Sequence, residues 1–218
     1  MTSTLSSDIR DFFSDPQVVQ EIREELNEEI SYCPILRNLK REIAAGVAPN
    51  KDIKFCDLGS EDRNEVYVYL GRILESVLTC KLARQFDVLK DRTSAGDVVI
   101  NSRVWEIKGT SGNNSWTGST HASKKEDDSI DFIGIKYGID ENADIYHVLE
   151  RNADLISEIF IGVFENLNFV RRGNATKSNS RTSLLISVED YDKVKGQVAW
   201  GNFRIPQRHG KYLQFETA

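Results

Sequence analysis

The chain has 218 residues, 39% hydrophobic and 28% charged, with a net charge of −6. That suits one soluble globular domain with a substantial core, and argues against a non-specific nucleic-acid binder, which needs positive charge to neutralise phosphates. No apolar run approaches the ~18 residues of a membrane span, MTSTLSSDIRDFF has no secretory-signal pattern, and Cys33, Cys56, Cys80, His121, His147 and His209 form neither a disulfide framework nor a zinc-ligand spacing, so a cytoplasmic protein is expected.

Residues 1–58 read as an N-terminal helical section. Asp15 before Pro16 is a helix start, with the acid as cap and proline in the first turn. The following QVVQEIREELNEEIS is amphipathic, with Val18, Ile22, Leu26 and Ile30 spaced for one face. A second helix runs through ILRNLKREIAA and stops at Gly46. Residues 59–218 are expected to form the main body. Ser60 looks like a cap, with Glu61 and Asp62 favourable to the dipole of a helix over about 61–86. Its apolar residues are Val66, Leu70, Ile73, Leu74, Val77, Leu78 and Leu82, and Glu75 lies beside this buried stripe.

After Phe86 the pattern turns to period two. Strands are expected at about 97–101, 103–109, 131–137, 158–164, 183–188, 197–204 and 212–216, with a helix around 143–156. Two long polar stretches, GTSGNNSWTGSTHASKKEDDS and RRGNATKSNSRTS, interrupt them, and loops of that length in a domain are usually functional or disordered. Charge is uneven. Residues 1–60 hold seven basic against eleven acidic residues, whereas 166–218 hold nine against four, a distribution compatible with one surface gripping a polyanion.

The stretch GDVVINSRVWEIKG carries the chemistry. Alternation along RVWEIKG sends Val104, Glu106 and Lys108 to one face and Trp105 and Ile107 to the other. If the preceding strand pairs antiparallel across a turn near Asn101–Ser102, Asp97 lies near the Glu106–Lys108 end of the hairpin. Two neighbouring carboxylates repel unless a cation sits between them, and hard oxygen donors suit magnesium. A nearby ammonium can neutralise charge, position a water or take part in proton transfer. Such a set suits hydrolysis of a phosphodiester.

These residues resemble the core of the PD-(D/E)XK nuclease superfamily, and the size of the chain resembles a type II restriction endonuclease. In that family an acid opens the second core strand, E-x-K follows on the next, and a glutamate of the preceding helix often joins the metal site. The matching positions are Asp97, Glu106 with Lys108, and Glu75 in LGRILESVLTC, across about 70–109; Gly96 replaces the motif's proline. The resemblance implies an α/β fold with a restriction-endonuclease-like mixed β-sheet flanked by helices. It also implies magnesium-dependent hydrolysis of double-stranded DNA at a short, palindromic sequence, leaving 5′-phosphate and 3′-hydroxyl ends. Asp97 and Glu106 would bind metal, Lys108 would orient or activate the water, and Glu75 would assist. A homodimer and a cognate DNA methyltransferase as functional partner follow from the same resemblance. The acidic N-terminal helices are the candidates for the dimer contact.

Recognition is expected from the polar loops. The first supplies Asn113, Asn114, Ser115, Trp116, Thr117, Ser119, Thr120, His121, Ser123, Lys124 and Lys125, and the second Arg171, Arg172, Asn174, Lys177, Asn179 and Arg181. Amides and basic groups of these types read base edges, and hydroxyls grip phosphates. Lys193, Lys195, Arg204, Arg208 and Lys211 extend a phosphate-binding surface; Trp200, alternating with Val198, is expected in the core. Other readings stay open. Glu106 and Lys108 can be surface charges of a solvated edge strand. Glu75 can be a solvated glutamate, with Glu65, Asp87 and Asp91 as weaker rivals. A structure-directed repair or recombination nuclease is the alternative enzyme, and a non-catalytic nucleic-acid-binding α/β module the alternative class.

Overall fold

Local sequence signals place the first helices where side chains can cap them. A computed structural model describes residues 4–48, 52–90, 98–111, 118–119, 130–167, 169–172, 183–186, 191–195, 197–201, 203–204, 208–209, 212–213 and 216–217; side chains are described at 4–48, 52–90, 98–111, 131–167, 192–194 and 197–201. Helix α1 (Leu5–Phe13), which the sequence reading did not foresee, begins at Thr4, whose hydroxyl accepts from the Ser7 amide. Helix α2 (Pro16–Ile30) starts as expected, with Asp15 accepting from the Gln17 amide at 2.8 Å. Its buried stripe is Val19, Ile22, Leu26 and Ile30, so Val19 rather than Val18 faces inward. Helix α3 (Pro34–Ala44) ends before Gly46, whose φ of +69° is the left-handed turn that glycine takes at a helix end. Helix α4 (Ser60–Leu82) is capped by Gly59 and not by Ser60, which lies in the first turn, and it stops four residues short of Phe86.

The strands follow as β1 (Val88–Lys90), β2 (Val98–Ile100), β3 (Arg103–Ser111), β4 (Gly118–Ser119), β5 (Ile130–Ile139), β6 (Ile156–Leu167), β7 (Phe169–Arg172), β8 (Ser183–Ile186), β9 (Val198–Trp200), β10 (Phe203–Arg204), β11 (Arg208–His209), β12 (Tyr212–Leu213) and β13 (Glu216–Thr217). Short helices α5 (Ile145–Leu149) and α6 (Tyr191–Lys195) lie between them. The helix expected over 143–156 is thus only α5, because Arg151 turns to a φ of +60° just after it. The expected strand over 197–204 is two strands in different sheets, and 212–216 likewise divides.

Six strands form a mixed sheet in the order β1-β2-β3-β5-β6-β9. All neighbours are antiparallel except β3 and β5, which run parallel from Glu106↔Phe132 to Ser111↔Tyr137. Parallel neighbours need a crossover, and residues 112–129 supply it. The protein is therefore a mixed α/β structure, as the strand and helix pattern predicted.

One face of this sheet carries the core. Trp105, Ile107, Ile133, Ile135, Tyr137, Ile159, Ile161 and Val163 are buried in one cluster with Ile9, Phe13, Ile22, Leu26, Leu70, Leu74 and Leu78. Burial of this kind contributes about 25 cal/mol per Å² of apolar surface removed from water. The N-terminal helices belong to that cluster, and the apolar stripe of α2 that motivated a dimer contact is consumed within the chain. Asn27 ties α2 to the sheet, its amide oxygen accepting from the Leu155 and Ile156 amides and its nitrogen donating to the Ile156 carbonyl. Residues 52–58 are strapped too, with the Phe55 and Cys56 amides donating to the Ala143 and Glu141 carbonyls. Among the described residues no helix is long and apolar enough to cross a membrane.

Candidate active site

The hairpin that delivers the site is built by a tight two-residue turn. Asn101 and Ser102 take φ of +46° and +67°, the pair of positive values that a turn matched to strand twist requires. Asn101 also exchanges hydrogen bonds with Asp87, its amide donating to the Asp87 carbonyl and its side-chain oxygen accepting from the Asp87 amide. The register is the expected one: Ile100↔Arg103, Val99↔Val104, Val98↔Trp105.

Alternation along β3 holds in the structure. Trp105 and Ile107 are buried in the core cluster, while Val104 is 39% exposed. Gly109 continues the Trp105–Ile107 face, and a Cβ there would meet Leu74 Cδ2 at 2.1 Å. Helix α4 therefore presses on that face, so close that a side chain at 109 would displace Leu74. Glu106 and Lys108 stand on the other. Lys108 Nζ lies 3.3 Å from Glu106 Oε1, with the carboxylate side chain 7% exposed and the lysine 23%. Both make further contacts. The solvated-edge reading is thus overturned: β3 is flanked by β2 and β5, and its carboxylate is buried.

Register carries the same face across the sheet. Glu106 is level with Phe132 and Phe164, Lys108 with Gly134 and Gly162, and Thr110 with Lys136 and Phe160. Phe132 and Phe164 are fully buried and stack with ring centroids 6.4 Å apart. Lys136 is also fully buried, and burial alone pushes its pKa down to about 8. Alternation along DFIGIKYG places this lysine with Phe132 and Gly134, and no local sequence signal marks it as buried.

Glu75 does not join the pair. Its carboxylate lies 3.2 Å from Lys90 Nζ on β1, so it is engaged by a different lysine. The rival acids fare no better: Glu65 and Asp87 are exposed, and Asp91 lies outside the described residues. Among the described residues, no three of His, Cys, Asp and Glu gather where they could hold a metal ion. Asp97, the residue before Val98, lies outside the described residues as well.

The expected DNA-contact residues Asn113, Asn114, Ser115, Thr117, Lys124, Lys125, Asn174, Lys177, Asn179 and Arg181 also lie outside them. Of Ser119, Arg171 and Arg172 the main chain is described. Strand β8 pairs with β4 through Gly118↔Leu184 and Ser119↔Ser183, and with β7 through Arg171↔Leu184 and Arg172↔Ser183. The first polar stretch and the two ends of the second thus meet in one three-stranded sheet, a proximity no local sequence signal announced. Trp200 is half-buried and packs against the core, opposite Ile161.

A different charged cluster closes the far end of β3. Arg103 donates to Asp131 at 2.9 Å and to Glu165 at 2.7 Å, linking β3, β5 and β6. Burial pushes the Glu165 pKa up, but Ser6, Arg103 and Arg10 outweigh it and hold the carboxylate below its ordinary value. Arg103 thereby has partners on β5 beside it and on β6 beyond, which makes it a structural clamp. No protein-family model matches this chain, and no curated protein matches it in sequence.

Proposed function

We propose that the protein is a magnesium-dependent endonuclease of the type II restriction class, hydrolysing double-stranded DNA at a short, palindromic sequence. The observation that carries the reading is the Glu106–Lys108 pair, held 3.3 Å apart on the buried face of a central strand. A charged pair there is expensive to desolvate, and replacing such a pair by hydrophobic residues is often neutral or stabilising. Its use is therefore sought in chemistry before stability. The second acid of this reading is Asp97, which precedes Val98 in the sequence, and Val98 stands opposite Trp105.

Carboxylate oxygens are the donors that magnesium prefers, so Glu106 with Asp97 fits that ion better than a soft metal. When bound, magnesium polarises a phosphoryl oxygen and lowers the pKa of water. Lys108 orients the attacking water through its ammonium hydrogens and balances charge beside Glu106. Rigid strands suit this task, because a shift of about 1 Å at a catalytic group can lower the rate on the order of 100-fold. The meeting of the two polar stretches in sheet β4–β8–β7 supports a nucleic-acid surface, since a β-ribbon fits the major groove. A palindromic site would be matched by a two-fold dimer.

The test is incubation of the purified chain with unmethylated phage DNA, with and without magnesium. Discrete fragments that need magnesium, carry 5′-phosphates and vanish with Glu106→Ala are expected. Intact DNA under all conditions, alongside measurable duplex binding, would replace the nuclease by a binding module.

A further inference from the structure

We infer that the groove between the outer edge of β6 and helix α2 binds an extended peptide segment carrying a carboxylate; the inference does not use the phosphodiester reading above. Strand β9 closes the sheet on this side. Among the described residues it pairs with β6 only through Ile161↔Trp200 and Gly162↔Val198. Where β9 ends, Gly201 turns to a φ of +78° and a cavity of about 410 Å³ begins. Its walls are residues 157–160 of β6, Trp200 with Gly201, and Pro16, Val19 and Arg23 on α2.

The main chain of that wall decides what fits. The Val163 amide donates to the Gln197 carbonyl and the Val163 carbonyl accepts from Arg10, so this residue turns its main-chain groups away from β5. Pairing of β6 with β5 is unbroken from Phe132↔Phe164 to Gly138↔Glu158, which carries the same alternation down to Ile159. The Ile159 N–H and C=O therefore point to the outer edge, on the side of the cavity. Donors and acceptors at strand spacing are matched by another extended main chain, the mode in which a peptide adds to a sheet. The chain itself uses this mode two residues further along, where β9 is the added strand. Half-buried Trp200 and buried Val19 offer an apolar seat for one peptide side chain. Arg23 donates to the Ser157 carbonyl at 3.3 Å, one bond from a five-donor fork whose shape suits a carboxylate. Glu158 at the same cavity penalises a second acid, so one carboxylate is the match.

The experiment pans a phage-displayed random octapeptide library on the full chain, and measures the selected peptides, synthesised with a fluorophore, by anisotropy. Selected peptides should carry an acid and bind Arg23→Glu about tenfold or more weakly than wild type, with Arg23→Lys in between and both variants melting close to wild type. N-methylation of alternate peptide residues should abolish binding in one phase and spare it in the other, because only one phase donates to the edge. Exchange of the Ile159 amide, followed by NMR in the wild-type complex, should slow. A selection without binders, binders indifferent to Arg23→Glu, equal tolerance of N-methylation in both phases, or an unprotected Ile159 amide would each overturn the site.

Discussion

The two faces of the central sheet use burial for different ends. On the helix-covered face the middle positions of β3, β5 and β6 are apolar or glycine, from Trp105 and Gly109 to Val163, and polar groups stand at the strand ends, the Arg103 clamp with its acids at one and Ser111 at the other. On the opposite face three phenylalanines, Phe132, Phe160 and Phe164, are buried beside Glu106, Lys108 and Lys136. The first face follows the rule that apolar surface leaves water. The second departs from it in the interior of the sheet, where charge is hardest to keep. Local departures from an otherwise consistent core are where function is expected.

If the division is right, substitutions on the two faces fail in different ways. The largest effect should come from Glu106→Ala and Lys108→Ala: magnesium-dependent cleavage falls by about 1,000-fold or more while duplex binding survives. Glu75→Gln, whose carboxylate is engaged by Lys90, should change cleavage only a few-fold. On the helix face Trp105→Ala should lower unfolding free energy by about 3–5 kcal/mol, measured by urea titration, with residual activity following the folded fraction. A site-face variant that unfolds the chain, or a helix-face variant that stays folded yet is inactive, would break the contrast.

Lys136 gives a pH signature that sharpens it. Burial lowers its pKa from 10.5 to about 8 in the folded chain. The fold therefore disfavours its protonated form, and the unfolded chain binds more protons between these values. Unfolding free energy should rise by about 3 kcal/mol from pH 8 to pH 10.5 relative to Lys136→Met, and be parallel to that variant below pH 8. Parallel profiles throughout would mean the ammonium is solvated. The smallest effect is at the turn: Ser102→Gly relieves a φ of +67° and should stabilise by about 0.5–1 kcal/mol, visible as a higher melting temperature.

Much of this arrangement was legible in the sequence where a strong period met a clear end signal. Helix α2 is announced by Asp15-Pro16, and the faces of β3 by RVWEIK. Helix α1 was not, because nine residues give a weak periodic signal and Ile9 and Phe13 are fixed by packing on the sheet. Strand β1 has three residues and gains its place only by pairing with β2. Glu75 shows the limit of spacing arguments: it sits on the expected helix, yet its partner is an edge-strand lysine. Lys136 shows the reverse, a residue whose importance depends on register with β3, which a parallel crossover hides from local reading.

Convergence of Asp97 and Glu106 on one divalent ion is best tested by counting bound manganese by electron paramagnetic resonance in wild type, Asp97→Asn and Glu106→Gln. Uptake by the wild-type chain that weakens about tenfold or more in each variant is the predicted result. Equal uptake by all three proteins would contradict a shared metal site and leave the buried charges without the role assigned to them.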